Sequence, residues 1–165
     1  MKDLVSVIPN SVRIVRGHAT LDKLALEAFD VGADRIVVIR NWKGNPRFVD
    51  VYQVFDPKRY PRICTMVLKG FKLARECGNE VPSKRPSRIV MPLSIAESSE
   101  IPLEILECIL RGFHVSLVTE VRGNCVEVRI TPRSGFYEVS FTMGGKSVGP
   151  VLRVWRAKLY PIELA

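Results

Sequence analysis

The sequence predicts a mixed α/β protein of two layers, a sheet with helices, on three observations. Leu21, Leu24, Ala25, Ala28 and Phe29 fall at i, i+3, i+4, i+7 and i+8, one apolar stripe of an amphipathic helix. Ile36 to Ile39 is a continuous aliphatic run between Arg35 and Arg40, the pattern of a strand covered on both faces. Past His114 the period changes to two, in short runs divided by Gly- and Pro-containing turns, as in an antiparallel meander.

Taken in order, Leu4, Val5 and Ile8 lie at helical spacing and Pro9-Asn10 stops them, so the chain is expected to open inside the last turns of a helix, with a first strand upstream. Ser11 to Val15 reads as a short strand. Thr20 is placed to cap the helix from Leu21, and Gly32 supplies its left-handed stop. The aliphatic strand and the alternating run Phe48 to Phe55 flank Trp42-Lys43-Gly44-Asn45-Pro46, a hairpin turn by composition. Ile63 to Leu73 favours extension, with a bulge at Gly70, which would cost about 1 kcal/mol inside a helix. Cys77 to Pro86, rich in turn formers, is a junction between two halves, and Ile89 to Leu93 is a further strand. Pro102 suits the first turn of a helix whose stripe is Ile101, Ile105, Leu106, Ile109 and Leu110 and whose stop is Gly112. Val115–Val121, Cys125–Thr131, Phe136–Thr142 and Val151–Leu159 then form the meander.

With 165 residues, 47% hydrophobic, the chain can bury roughly 70% of its unfolded surface as one domain. No apolar run reaches the ~18 residues of a spanning helix, and residues 1–15 lack a signal peptide pattern, so a cytoplasmic protein without a membrane partner is expected. The cysteines at 64, 77, 108 and 125, with only His18 and His114 beside them, have no zinc-type spacing and read as buried free thiols; no metal or other cofactor is implied.

No catalytic set holds together. Gly145-Lys146-Ser147-Val148-Gly149 matches the nucleophile-elbow pattern, but Gly149-Pro150 leads into a strand instead of a helix and both histidines precede the serine. As a phosphate loop it fails at Ser140, where the first glycine is required. Glu104 and Glu107 share a helix but lie on its solvated face. His18 has no nucleophile at usable spacing, and His114 follows Gly112, where it can cap a helix end.

The net charge of +8 is concentrated: Arg40 to Arg88 holds twelve Lys/Arg and four Asp/Glu, and the rest of the chain is balanced. Charge sorted in this way fits a face for a polyanion. Arg40, Trp42, Lys43 and Arg47 surround one turn, where phosphates could be neutralised beside an indole on which a base stacks. Lys58, Arg59 and Arg62 form a second cluster, Lys69, Lys72 and Arg75 a third, and Lys84, Arg85 and Arg88 a fourth; Arg16 stands apart in an earlier turn. None has the spacing of a groove-reading helix, so shape-led RNA contact is the economical expectation. A smaller excess, Lys146, Arg153, Arg156 and Lys158, lies near the end, and Glu97 to Glu107 carries four acids without a base.

Arg16-Gly17 with Thr20-Leu21, then Gly32 to Ile39, then Trp42 to Pro46, resembles the Brix domain of ribosome-biogenesis proteins in its short archaeal form, and Gly149-Pro150-Val151-Leu152-Arg153-Val154 is similar to that domain's final strand. The resemblance covers essentially residues 1–165. It implies two similar halves, approximately 1–80 and 81–165, each resembling the anticodon-binding domain of class II aminoacyl-tRNA synthetases. It also implies a non-enzymatic role in ribosomal RNA processing and assembly, with precursor ribosomal RNA and assembly proteins as partners and no small-molecule substrate. The other expectation is an interaction scaffold whose basic segment meets an acidic protein, RNA being touched only indirectly.

Overall fold

The computed structural model describes residues 2–163. Eight strands form one mixed sheet in the order β1-β2-β3-β8-β7-β6-β4-β5. They are β1 Arg35–Trp42, β2 Asn45–Gln53, β3 Arg62–Lys72, β4 Arg88–Pro92, β5 Ser116–Val118, β6 Cys125–Arg133, β7 Phe136–Met143 and β8 Lys146–Leu159. The helices are α1 Lys2–Val7, α2 Leu21–Asp30, α3 Ala74–Cys77, α4 Leu93–Ala96 and α5 Leu103–Gly112. The α/β class with a mixed sheet therefore stands.

The core lies between one sheet face and α5, with α1 beside it. Val49, Val51, Met66, Leu68, Leu152, Val154, Val139 and Phe141 meet Ile105, Leu106, Ile109 and Phe113, all of them buried. Burying one such side chain contributes about 1.5–3 kcal/mol. Gly112, expected to stop α5, has another use: it ends the helix in close approach to β2, where an added Cβ would stand 3.0 Å from Val51 Cγ2. The left-handed stop is His114, with φ 52°. Leu24, Ala25 and Ala28 of α2 are buried outside that core, as are Val38 and Val54, so α2 covers the other face of the sheet at the β1 edge. The two-layer expectation is corrected there to helices on both faces.

Local signals were accurate for α2, where the Thr20 side chain accepts from the Lys23 amide and Gly32 takes φ +72°. The β1–β2 hairpin also follows expectation. Three others change. Ser11–Val15 forms no strand, and Val12, Ile14 and Val15 are exposed. β5 is not part of a meander: it runs parallel to β4, which is inserted between β5 and β6. Cys64 and Cys108 are not free thiols but a disulfide joining β3 to α5, with Cα atoms 5.8 Å apart; only Cys77 and Cys125 stay free. The pairing depends on α5 lying across β3, a contact 44 residues apart in sequence that no local spacing encodes.

Candidate nucleic-acid interface

Strand alternation distributes the charge. Val49, Met66, Leu68 and Val154 face the core, so their neighbours turn to the opposite face, which α5 does not cover. Register aligns these neighbours in rows. One row is Arg40, Phe48, Val67 and Arg156; the next is Val38, Asp50, Thr65 and Lys158. Arg153 pairs with Gly70, whose missing side chain leaves room for the arginine stem at 3.4 Å. With strands about 4.8 Å apart, a row from β1 to β8 extends roughly 14 Å.

Aromatic rings hold these cations in place. Arg40 lies over Phe48 at 4.5 Å, Arg62 over Tyr160 at 4.4 Å, Arg156 over Trp155 at 4.4 Å and Arg153 over Phe136 at 5.3 Å. Lys158 joins Tyr160 at 5.1 Å. The only carboxylate on β1, β2, β3 or β8 is Asp50, 1% exposed. It accepts from Arg40 Nε at 2.5 Å and Thr65 Oγ1 at 2.6 Å, with Arg62 at 3.7 Å. The hydrogen bond to Asp50 raises the Arg40 pKa above its ordinary value, so that guanidinium is charged at every working pH. Arg47, Lys69, Arg153, Arg156 and Lys158 make no ion pair among the described residues. Arg153 Nε is also buried and meets no hydrogen-bond acceptor there. These unpaired cations share one face, where like charges repel one another.

The basic segment of the sequence is therefore divided. Arg40, Arg47, Arg62 and Lys69 converge on this face, and Lys72, paired with Val151, stands at its far end. Trp42 and Lys43 occupy the β1–β2 tip, Trp42 being 62% exposed, while the Arg40 and Arg47 side chains lie by the rings of Phe48 and Trp155. Lys58 and Arg59 sit in the β2–β3 loop, where Arg59 covers Phe55 at 4.6 Å and donates to the Glu163 carbonyl at 3.3 Å. Arg75 is on α3. Lys84 lines a cavity of about 280 Å³ with Glu80, Asn124 and Lys146, Arg85 donates to the Ser11 carbonyl, and Arg88 reaches the Arg122 carbonyl. Arg16 is tied to the Ala19 carbonyl beside α2. Arg153, Arg156 and Lys158 of β8, which sequence reasoning registered only as a minor excess, complete the face; their nearness to β3 is the missing information.

Other candidates find structural roles. Ser147 lies in β8 just after the Gly144-Gly145 turn, and its carbonyl accepts from the Glu80 amide. His114 is 2.7 Å from Asp34, tying the end of α5 to the entry of β1. Glu107 pairs with Arg111 one turn on, at 2.8 Å. Among the described residues no group of three or more His, Cys, Asp or Glu could hold a metal ion, and no helix is long and apolar enough to cross a membrane.

Comparison with known proteins agrees with the architecture. No family model matches the chain. A probable Brix domain-containing ribosomal biogenesis protein of Aeropyrum pernix is 35% identical over 155 residues, 93% of this chain and 85% of the relative. The chain belongs to that family of Brix domain-containing ribosomal biogenesis proteins. A relative of the same description from Pyrococcus horikoshii is 38% identical over 104 residues, but this stretch is only 45% of that protein's length. The crystal structure of the probable ribosomal biogenesis protein from Aeropyrum pernix superposes with TM-score 0.82 over 94% of this chain and 86% of that one. An archaeal Imp4-like protein, 14% identical, shares the fold at TM-score 0.64, over 96% of this chain and 89% of its own.

Proposed function

We propose that this protein is a non-enzymatic, cytoplasmic ribosome biogenesis factor that holds precursor ribosomal RNA on the open face of its sheet. The observation that carries the reading is the set of cations gathered on one sheet face, Arg40, Arg47, Arg62, Lys69, Arg153, Arg156 and Lys158, buttressed by aromatic rings, of which Arg40 and Arg62 alone have a carboxylate partner among the described residues. Phosphates supply the missing anions, and the rings keep the guanidinium planes in place before the ligand arrives. The reading takes residues 1–165 as one Brix-like domain with halves meeting near residue 80, each resembling a synthetase anticodon-binding domain. In support, β1-β2-β3 and β6-β7-β8 are antiparallel meanders that meet antiparallel at β3 and β8, as a local two-fold axis requires.

Five to seven neutralised phosphates on unpaired RNA predict that log K falls with log salt at a slope of about −3.5 to −5. Replacing Arg153, Arg156 and Lys158 together by Ala should flatten it by roughly 2 units, whereas the triple replacement of Arg75, Lys84 and Arg85 should leave it in place. Filter binding to a ribosomal RNA fragment over a salt series measures both. Equal effects of the two triples would remove the open face from the footprint.

The scaffold reading has one observation in its favour: Ile14, Val15, Leu26, Phe29 and Val31, all exposed, lie on or near α2, in the manner of a protein contact. Ultraviolet crosslinking of the purified protein to RNA separates the two, since a scaffold yields crosslinks only with its protein partner present.

A further inference from the structure

Five places in the sheet depart from regular register, and three of them leave out residues that meet at one ring. On β2, Arg40 pairs with Phe48 and Asn41 with Pro46, which omits Arg47. On β3, Leu68 pairs with Val154 and Gly70 with Arg153, which omits Lys69. On β8, Val67 pairs with Arg156 and Leu68 with Val154, which omits Trp155. The Arg47 guanidinium and the Lys69 ammonium each stand 5.9 Å from the Trp155 ring, and Arg156 lies over it at 4.4 Å. Bulges give up ladder hydrogen bonds and re-aim side chains, and they concentrate next to functional sites. Here three bulges aim their extra residues at one point on the β3–β8 seam. Trp155 is 42% exposed there, on a strand whose alternate residues Leu152 and Val154 are fully buried.

Resting on the RNA reading above, we propose that Trp155 is a stacking platform for an unpaired nucleobase, with Arg47, Lys69 and Arg156 neutralising the phosphates that flank it, so that the ligand is single-stranded RNA. A duplex is excluded from this contact by its own structure: paired bases are already stacked on one another and present only edges and backbone to a protein. An indole stacks on any base, so the site selects strandedness instead of sequence.

The test compares a twelve-nucleotide oligouridylate with a twelve-base-pair RNA duplex. Stacking on one base predicts that Trp155→Ala weakens oligouridylate binding by roughly 5- to 100-fold, that Trp155→Phe restores most of it, and that duplex affinity is unchanged in both. The salt slope stays constant in Trp155→Ala but flattens by about 0.7 in Lys69→Ala, because a ring releases no counterions. Oligouridylate affinity untouched by Trp155→Ala, or lost equally for duplex and single strand, overturns the stacking site while leaving the RNA reading intact. Failure of the wild-type chain to bind either RNA overturns both.

Discussion

Asp50 is the residue on which the open face turns. A carboxylate that is 1% exposed, on a strand otherwise apolar at its buried positions, is costly unless saturated with donors; Arg40 and Thr65 supply them, and the Arg62 charge stands 3.7 Å away. The arrangement clamps two guanidinium groups in place while cancelling only one of their charges. Asp50→Asn should therefore do two things. It should lower stability by about 1–2 kcal/mol in chemical denaturation, the cost of weakened hydrogen bonds to charged groups whose half-exposed arginines regain water. It should also tighten RNA binding, as one net positive charge is released to the face. A variant that is destabilised but binds less well would mean that Asp50 acts by positioning the arginines more than by limiting their charge.

Among elements, β8 carries the largest burden. It pairs with β3 on one side and β7 on the other, takes the packing of α1, α3 and α5, and supplies Arg153, Trp155, Arg156 and Lys158. Its entry depends on Gly149, which takes φ +66° and lies so close to α1 that an added Cβ would fall 2.5 Å from Val7 Cγ1. Backbone strain and overpacking add at this position, so Gly149→Ala should cost roughly 2–4 kcal/mol, read as a lowered denaturation midpoint. Gly144 has a similar positive φ but open space around it, and Gly144→Ala should show the smaller, conformational part alone.

At the scale of the molecule, the two meanders are held by the β3–β8 ladder, and the Cys64–Cys108 disulfide fastens β3 to α5. A bridge across 44 residues restricts the unfolded chain by about 4 kcal/mol in the loop-entropy treatment. Replacing both cysteines by Ser, or reducing the folded protein, should lower Tm by roughly 8–16 °C for a chain of this size. A shift under 2 °C would show that the packed α5–β3 contact needs no covalent support. The same long-range packing explains how the charged segment was divided: the clusters at 58–59 and 75–88 fall in loops, on α3 and at the start of β4, while β8, distant in sequence, comes to lie against β3.

Local chemistry in the chain is sufficient for α2 with its Thr20 cap, for the β1–β2 hairpin, for the α5 stripe and for the absence of a nucleophile elbow at Ser147, because each depends on residues within one or two turns of one another. The concentration of positive charge is likewise a property of the sequence alone. Tertiary structure decided which cations share a surface, that Gly112 serves contact with Val51 instead of a stop, that two thiols are joined, and that Arg47, Lys69 and Trp155 meet. A bulge, a disulfide or a shared face belongs to pairs of strands and helices far apart along the chain, and only the packing of the whole sheet sets their register.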